Sequence, residues 1–258
     1  VGSLLDAARL DGACGVAYDA VAKRVFVASS TSASVTVVDV STPSSPLLRG
    51  SLTDVLRLDG ACGISYDSVE QHVVVVGEAS GVIVIIDVSD SSAPLLAGAL
   101  VGSASLSGAA GVALDVSRGL AFVASAVADS LTVVDLSKRA SPVVVGMLVH
   151  HGQLSGACSV SYDGASQRVL VASRRADSLA VIDVSKPALP ELLGSLVDGT
   201  RLDGAAGVAY DAATRRAIVV SEHADSLAVV CVPSSTVLTA SECGRSLTLL
   251  GANADSNS

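Results

Sequence analysis

Arg9 to Leu56 reads RLDGACGVAYDAVAKRVFVASSTSASVTVVDVSTPSSPLLRGSLTDVL, and this stretch decides the fold. It begins again at residues 57, 105, 153 and 201, each time 48 residues further on. Leu10, Leu58, Leu106, Leu154 and Leu202 are one position seen five times, and so are Asp19, Asp67, Asp115, Asp163 and Asp211. The copies run without insertion to Val232, and residues 233–258 form a degenerate tail. A fixed period of this length, with several short apolar runs in each copy, predicts an array of small sheets. The whole chain, 1–258, reads as one domain.

Within the first copy the apolar runs fall at Cys14–Tyr18, Arg24–Ser29, Val35–Val40 and Leu47–Leu52, and they are read as strands A to D. DAVAK between A and B has the length of a hairpin turn. STPSSP between C and D is turn-rich, and its prolines cannot sit in a central strand. Fourth strands are expected at 46–52, 94–100, 142–149 and 190–197. Strands B (Val25-Phe26-Val27-Ala28) and C (Val35-Thr36-Val37-Val38) are apolar on both faces, whereas a sheet with one wet face alternates. Sheets covered on both sides are what stacked blades around an axis provide. The expected fold is therefore all-β: a five-bladed β-propeller of 48-residue, four-stranded repeats.

The N-terminal VGSLLDAA matches the end of the repeat, as in RGSLTDVL at 49–56. Residues 1–7 are expected to close the ring by pairing with strand C of the last copy, removing an open edge. TLLGANAD at 248–255, which resembles ELLGSLVD at 191–198, is the alternative.

The segments VTVVDVSTPSSPLLRGSL (35–52) and LAVIDVSKPALPELLGSL (179–196), with RVFVAS and RVLVAS before them, resemble the LVIVD-type repeat of a β-propeller family. The resemblance covers residues 1–232 and implies blade architecture. It implies no activity; members are mostly surface or secreted proteins, which favours such a location here. The Ala-rich strand A and the scarcity of aromatic residues depart from the family pattern.

Half of the residues are apolar, but aromatics are only 2% and Trp is absent, so Val, Ala, Leu and Ile must build the core. A net charge of -9 with only three lysines argues against binding nucleic acid or an anionic membrane. No apolar run has the roughly 18 residues of a membrane helix, so no membrane insertion is expected. Cys14, Cys62 and Cys158 share one repeat position with Ala110 and Ala206, which predicts small, buried, reduced and unreactive thiols. Cys231 and Cys243 lie where the repeat degenerates and could pair. No zinc-ligand spacing is present, and no cofactor is expected.

Positions that are uniform in every copy have a per-blade duty, such as turn capping by the repeated aspartates or packing by Tyr18, Tyr66, Tyr162 and Tyr210, with Leu114 in the third copy. A single functional site should break that symmetry. The B–C and D–A loops vary most and emerge on one face, where Arg174, Arg175, Glu222, His223, His150 and His151 cluster in neighbouring copies. Guanidinium forks suit carboxylate, sulfate or phosphate groups, so these six are the expected ligand-binding residues. Asp11, Asp59 and Asp203, with Ser107 and Ser155, precede the innermost strand and are an expected axial cation site. No Ser–His–Asp arrangement can be isolated. The leading expectation is a noncatalytic binding or interaction module with a protein or glycan partner. A lectin-like propeller is the second, and a hydrolase or lyase with an axial site the third.

Overall fold

A tight left-handed turn begins every sheet. In the computed structural model, which describes residues 2–232, the five-residue A–B turns place Lys23, Gln71, Gly119, Gln167 and Arg215 at φ values of 53 to 63°. The first two strands of each copy then pair back to back. The first blade comprises β1 (Ala13–Asp19), β2 (Arg24–Ser29), β3 (Ser34–Asp39) and β4 (Leu47–Thr53). The second comprises β5 (Ala61–Asp67), β6 (His72–Gly77), β7 (Val82–Asp87) and β8 (Leu95–Leu100). The third has β9 (Ala109–Asp115), β10 (Leu120–Ser125), β11 (Ser130–Asp135) and β12 (Val143–Val149). The fourth has β13 (Ala157–Asp163), β14 (Arg168–Ser173), β15 (Ser178–Asp183) and β16 (Glu191–Val197). The fifth has β17 (Ala205–Asp211), β18 (Arg216–Ser221) and β19 (Ser226–Cys231). Every pairing is antiparallel between chain neighbours. The arrangement is an all-β, five-bladed β-propeller, and the expected strands lie within a residue or two of those observed.

Gly12, Gly60, Gly108, Gly156 and Gly204 all take φ values near +70° in the turn that leads into the first strand. A Cβ at Gly12 would stand 2.7 Å from the Thr31 amide nitrogen of the B–C loop, and one at Gly156 would stand 2.8 Å from that of Arg175. The lead-in therefore tucks under the B–C loop, where only glycine fits.

Four core layers join the five blades. Phe26 and Val37 pack on Val73, Val75 and Val84 between blades one and two. Val76 and Ile83 meet Ala121 and Val123 between two and three. Phe122 and Val133 meet Val169 and Ile182 between three and four, and Leu170 and Val181 meet Ala217 and Val219 between four and five. Among the described residues no such layer joins blade five to blade one. There Val16 is 68% exposed, Tyr18 51% and Leu227 64%. The second strand of each blade is thus buried on both faces in the three central blades and alternates between buried and more exposed positions in the two end blades.

Closure by residues 1–7 is corrected by the backbone. Residues 2–6 form no strand, and among the described residues β19 pairs only with β18. Gly2 does lie against the β3–β4 turn at Pro43 and Ser44, as Gly50 lies against Ser91 and Ser92 of the next blade. The N-terminal segment therefore follows blade one as a preceding fourth strand would, without reaching the other side of the seam. The alternative segment, 248–255, lies outside the described residues. Cys231 is disulfide-bonded; Cys243 lies outside them as well.

Candidate functional site

The A–B turn aspartate does more than cap its turn. Asp19 Oδ1 accepts the N–H groups of Val21 and Ala22, which fixes the side chain. That leaves Oδ2 pointing at the next blade, where it receives the Tyr66 hydroxyl at 3.1 Å and the Arg24 guanidinium at 2.9 Å. Arg24 also donates to the Tyr66 hydroxyl oxygen, to the Val88 carbonyl and to Ser91. The Tyr66 ring lies 4.8 Å from that of Phe26. The result is an Asp–Arg–Tyr latch from blade one to blade two.

Blades three and four repeat the latch with one exchange. Leu120 occupies the Arg24 position, and Arg118 supplies the guanidinium from the turn instead. Arg118 reaches Asp115 Oδ2 at 2.5 Å, the Tyr162 hydroxyl at 3.1 Å and the Val184 carbonyl at 3.2 Å. Tyr162 donates to Asp115 Oδ2 and stacks on Phe122 at 4.8 Å. Burial alone would raise the Asp115 carboxyl, but hydrogen bonds from Ser117, Tyr162 and Arg118 outweigh it and hold the group at about 2. Burial and the adjacent carboxylate push the Tyr162 phenol up to about 12. Between blades four and five burial and the neighbouring Asp163 carboxylate push the Tyr210 phenol up as well.

Between blades two and three the latch is missing. The equivalents of Phe26, Arg24 and Tyr66, 48 residues on, are Val74, His72 and Leu114. A cleft of about 260 Å³ opens there on the turn face, lined by Asp67, Glu70, His72, Leu114, Arg118 and Arg139 over a floor that includes Val74, Ile85 and Leu136. Asp67 Oδ1 accepts the Val69 and Glu70 N–H groups, as in the sister turns. His72 Nδ1 is buried with no hydrogen-bond partner. Glu70 and Arg139 bridge the rim as an ion pair at 2.6 Å. Sequence reading missed this site, although its signal was present: the third copy alone replaces the tyrosine, and the second alone puts histidine at the arginine position.

The loop-face residues singled out from sequence do come together, but already paired. Arg175 bonds to Asp129 Oδ1 at 2.7 Å and to the Ala126 carbonyl, and His151 meets the same carboxylate at 3.2 Å. Arg174 faces Glu222 at 3.4 Å, and His223 faces Asp203 at 3.3 Å. His150 Nδ1 accepts the Gln153 N–H of its own turn. In the expected axial set, the backbone carbonyls of Asp11, Asp59, Ser107, Ser155 and Asp203 each accept an N–H from their own B–C loop. Among the described residues no three His, Cys, Asp or Glu side chains gather as a metal site.

The three repeat cysteines are free, but not in the tight apolar sites expected. Cys14 is exposed and Cys62 half-buried. Cys14 donates to the Ala61 carbonyl of the next blade, and Cys158 to that of Ala205. The two neighbouring thiols act on each other, which raises Cys14 and brings Cys62 down to about 7. Only blades one and two carry Cys at this repeat position in succession, and blade five has Ala206 there, so Cys158 has no such partner.

The geometry defines the class: a repeat-built β-propeller with one interface differing from its sisters. More particularly, the chain is built of LVIVD repeats, since the LVIVD repeat model matches at residues 25–54, 74–100, 110–148 and 171–198. No curated protein matches the sequence significantly. Solved structures share the fold at low identity. A protein from Lactobacillus plantarum is 14% identical, with a TM-score of 0.74 over 92% of this chain and 70% of that one. A functionally unknown protein from Desulfotomaculum acetoxidans is 12% identical, with a TM-score of 0.67 over 85% and 69%. The periplasmic gluconolactonase of Pseudomonas aeruginosa is 14% identical, with a TM-score of 0.60 over 71% and 53%. At such identities the likeness is one of fold.

Proposed function

We propose that this chain is a noncatalytic binding module that seats its ligand in the cleft between blades two and three. The observation that carries the reading is the cleft itself, which among the described residues opens at the one packed interface where leucine replaces the tyrosine. Concave seats with apolar walls and a few convergent polar groups are the usual form of a small-ligand site.

The loop face of blades three to five is the weaker seat in this reading. An anionic partner there must displace Glu222 or Asp129 from the guanidinium groups they already neutralise. Lectin-like binding, and hydrolysis or lysis on the axis, rank lower, because no gathered set of side chains on the axis argues for either. The gluconolactonase relative contributes a fold and no residues.

The test is a fragment screen against the whole chain, followed through methyl NMR signals. Saturable shifts centred on Leu114, Leu120 and Leu136, with the fragments recovered unchanged, are expected. Binders that leave these methyls untouched and are lost in an Arg174→Ala, Arg175→Ala variant would move the seat to the loop face.

A further inference from the structure

The sister interfaces show what this cleft is shaped to receive. Each of them brings a phenol from the following blade onto a carboxylate of the preceding one. Tyr66 donates to Asp19 Oδ2, and Tyr162 to Asp115 Oδ2, while a guanidinium donates to each phenol oxygen. At the interface of blades two and three Asp67 is held by the same two turn N–H bonds as Asp19, and among the described residues none donates a hydrogen bond to its Oδ2. The acceptor remains while the phenol is gone, because Leu114 has replaced it. The aromatic partner is reduced from Phe26 to Val74, which widens the seat, and the shorter His72 replaces Arg24.

We infer that the cleft binds a phenolic hydroxyl group, taken from outside the chain, in the place that Tyr66 and Tyr162 fill at the neighbouring interfaces. This rests on the reading of the cleft as a ligand seat. A phenol carries one donor and an acceptor oxygen. Asp67 Oδ2 accepts the donor, and the His72 ring or Arg139 supplies a donor to the oxygen. The ring lies against Leu114, Val74 and Ile85. Charge argues for a neutral head group. Asp67, Glu70 and Asp115 oppose an anion, and Arg118 and Arg139 oppose a cation. A volume of about 260 Å³ lies below the roughly 300–1,000 Å³ of drug-sized pockets and suits a single substituted ring.

The experiment titrates the full chain with p-cresol, toluene, N-acetyltyrosinamide and N-acetylphenylalaninamide, following the Leu114 and Val74 methyl signals. p-Cresol should saturate these shifts at a concentration at least tenfold below that of toluene. Asp67→Asn should weaken p-cresol at least fivefold, and Leu114→Tyr, which restores the chain's own phenol, should abolish its binding without lowering the melting temperature. Binding of N-acetyltyrosinamide as tight as that of p-cresol identifies tyrosine side chains as a source, and binding of p-cresol alone identifies free phenols. If toluene binds as tightly as p-cresol, the hydroxyl inference fails and the cleft stands as an apolar seat. If no probe shifts the cleft methyls, the seat itself fails.

Discussion

The interface of blades three and four and that of blades two and three are made from the same repeat positions in the same register, yet they do opposite things. The first brings Asp115, Arg118, Tyr162 and Phe122 into one latched contact. The second presents Asp67, His72, Leu114 and Val74 around open space. Both have an apolar layer beneath, so neighbouring blades pack together without the latch. The comparison teaches that the latch is an addition at the rim. A repeat can lose it without losing the blade, and the place it vacates is left as a cleft.

The sharpest way to break the comparison is to remove the aromatic support of the latched side. Phe122 is fully buried, and Phe122→Ala should cost about 3–5 kcal/mol in denaturant unfolding. Val74→Ala, at the unlatched side, should cost less than half as much. Equal costs would show that the two interfaces are not energetically distinct.

Acid should act selectively on the latched side. The folded state holds Asp115 at about 2 against an ordinary value of 3.8. Its contribution is therefore fully present above about pH 4 and is lost as the pH falls through 2. The difference of nearly two units corresponds to about 2 kcal/mol. Unfolding midpoints of the native chain and of Asp115→Asn, measured from pH 6 down to pH 2, should converge at the acid end. Parallel curves would remove Asp115 from the account.

Tyr162→Phe keeps the stacked ring and deletes only the hydroxyl shared by Asp115 and Arg118. A loss of about 1–2 kcal/mol is expected, since the bond ends on a charged group. The smallest expected effect comes from building the latch where it is missing. Leu114→Tyr with His72→Arg should stabilise by about 1 kcal/mol, read as a shift in the denaturation midpoint. A lowered midpoint would mean that Val74 is too small to support the ring.

Part of this was legible in the sequence. The fixed period, the turn chemistry and the double-sided apolar strands defined five blades, because each of these is a local property of the chain. The substitutions at 72, 74 and 114 were equally visible. What could not be read was that those three positions meet, since His72 and Val74 belong to one blade and Leu114 to the next. The variable loops drew the functional reading to the opposite face, where Arg174 and Arg175 turn out to be neutralised across blades by Glu222 and Asp129. A charged residue in a sequence carries no mark of the partner that folding gives it.

Burial divides along the same line. The sequence by itself determined that every blade would offer Val, Ile and Leu on both faces. Only the tertiary structure decided which faces are covered: Val76, Ala124 and Ala172 are fully buried in central blades, while Val220, at the matching position of blade five, is 47% exposed. A strand's own residues set its pattern, but burial is a relation between surfaces. At the seam between blades five and one, no second surface among the described residues completes that relation.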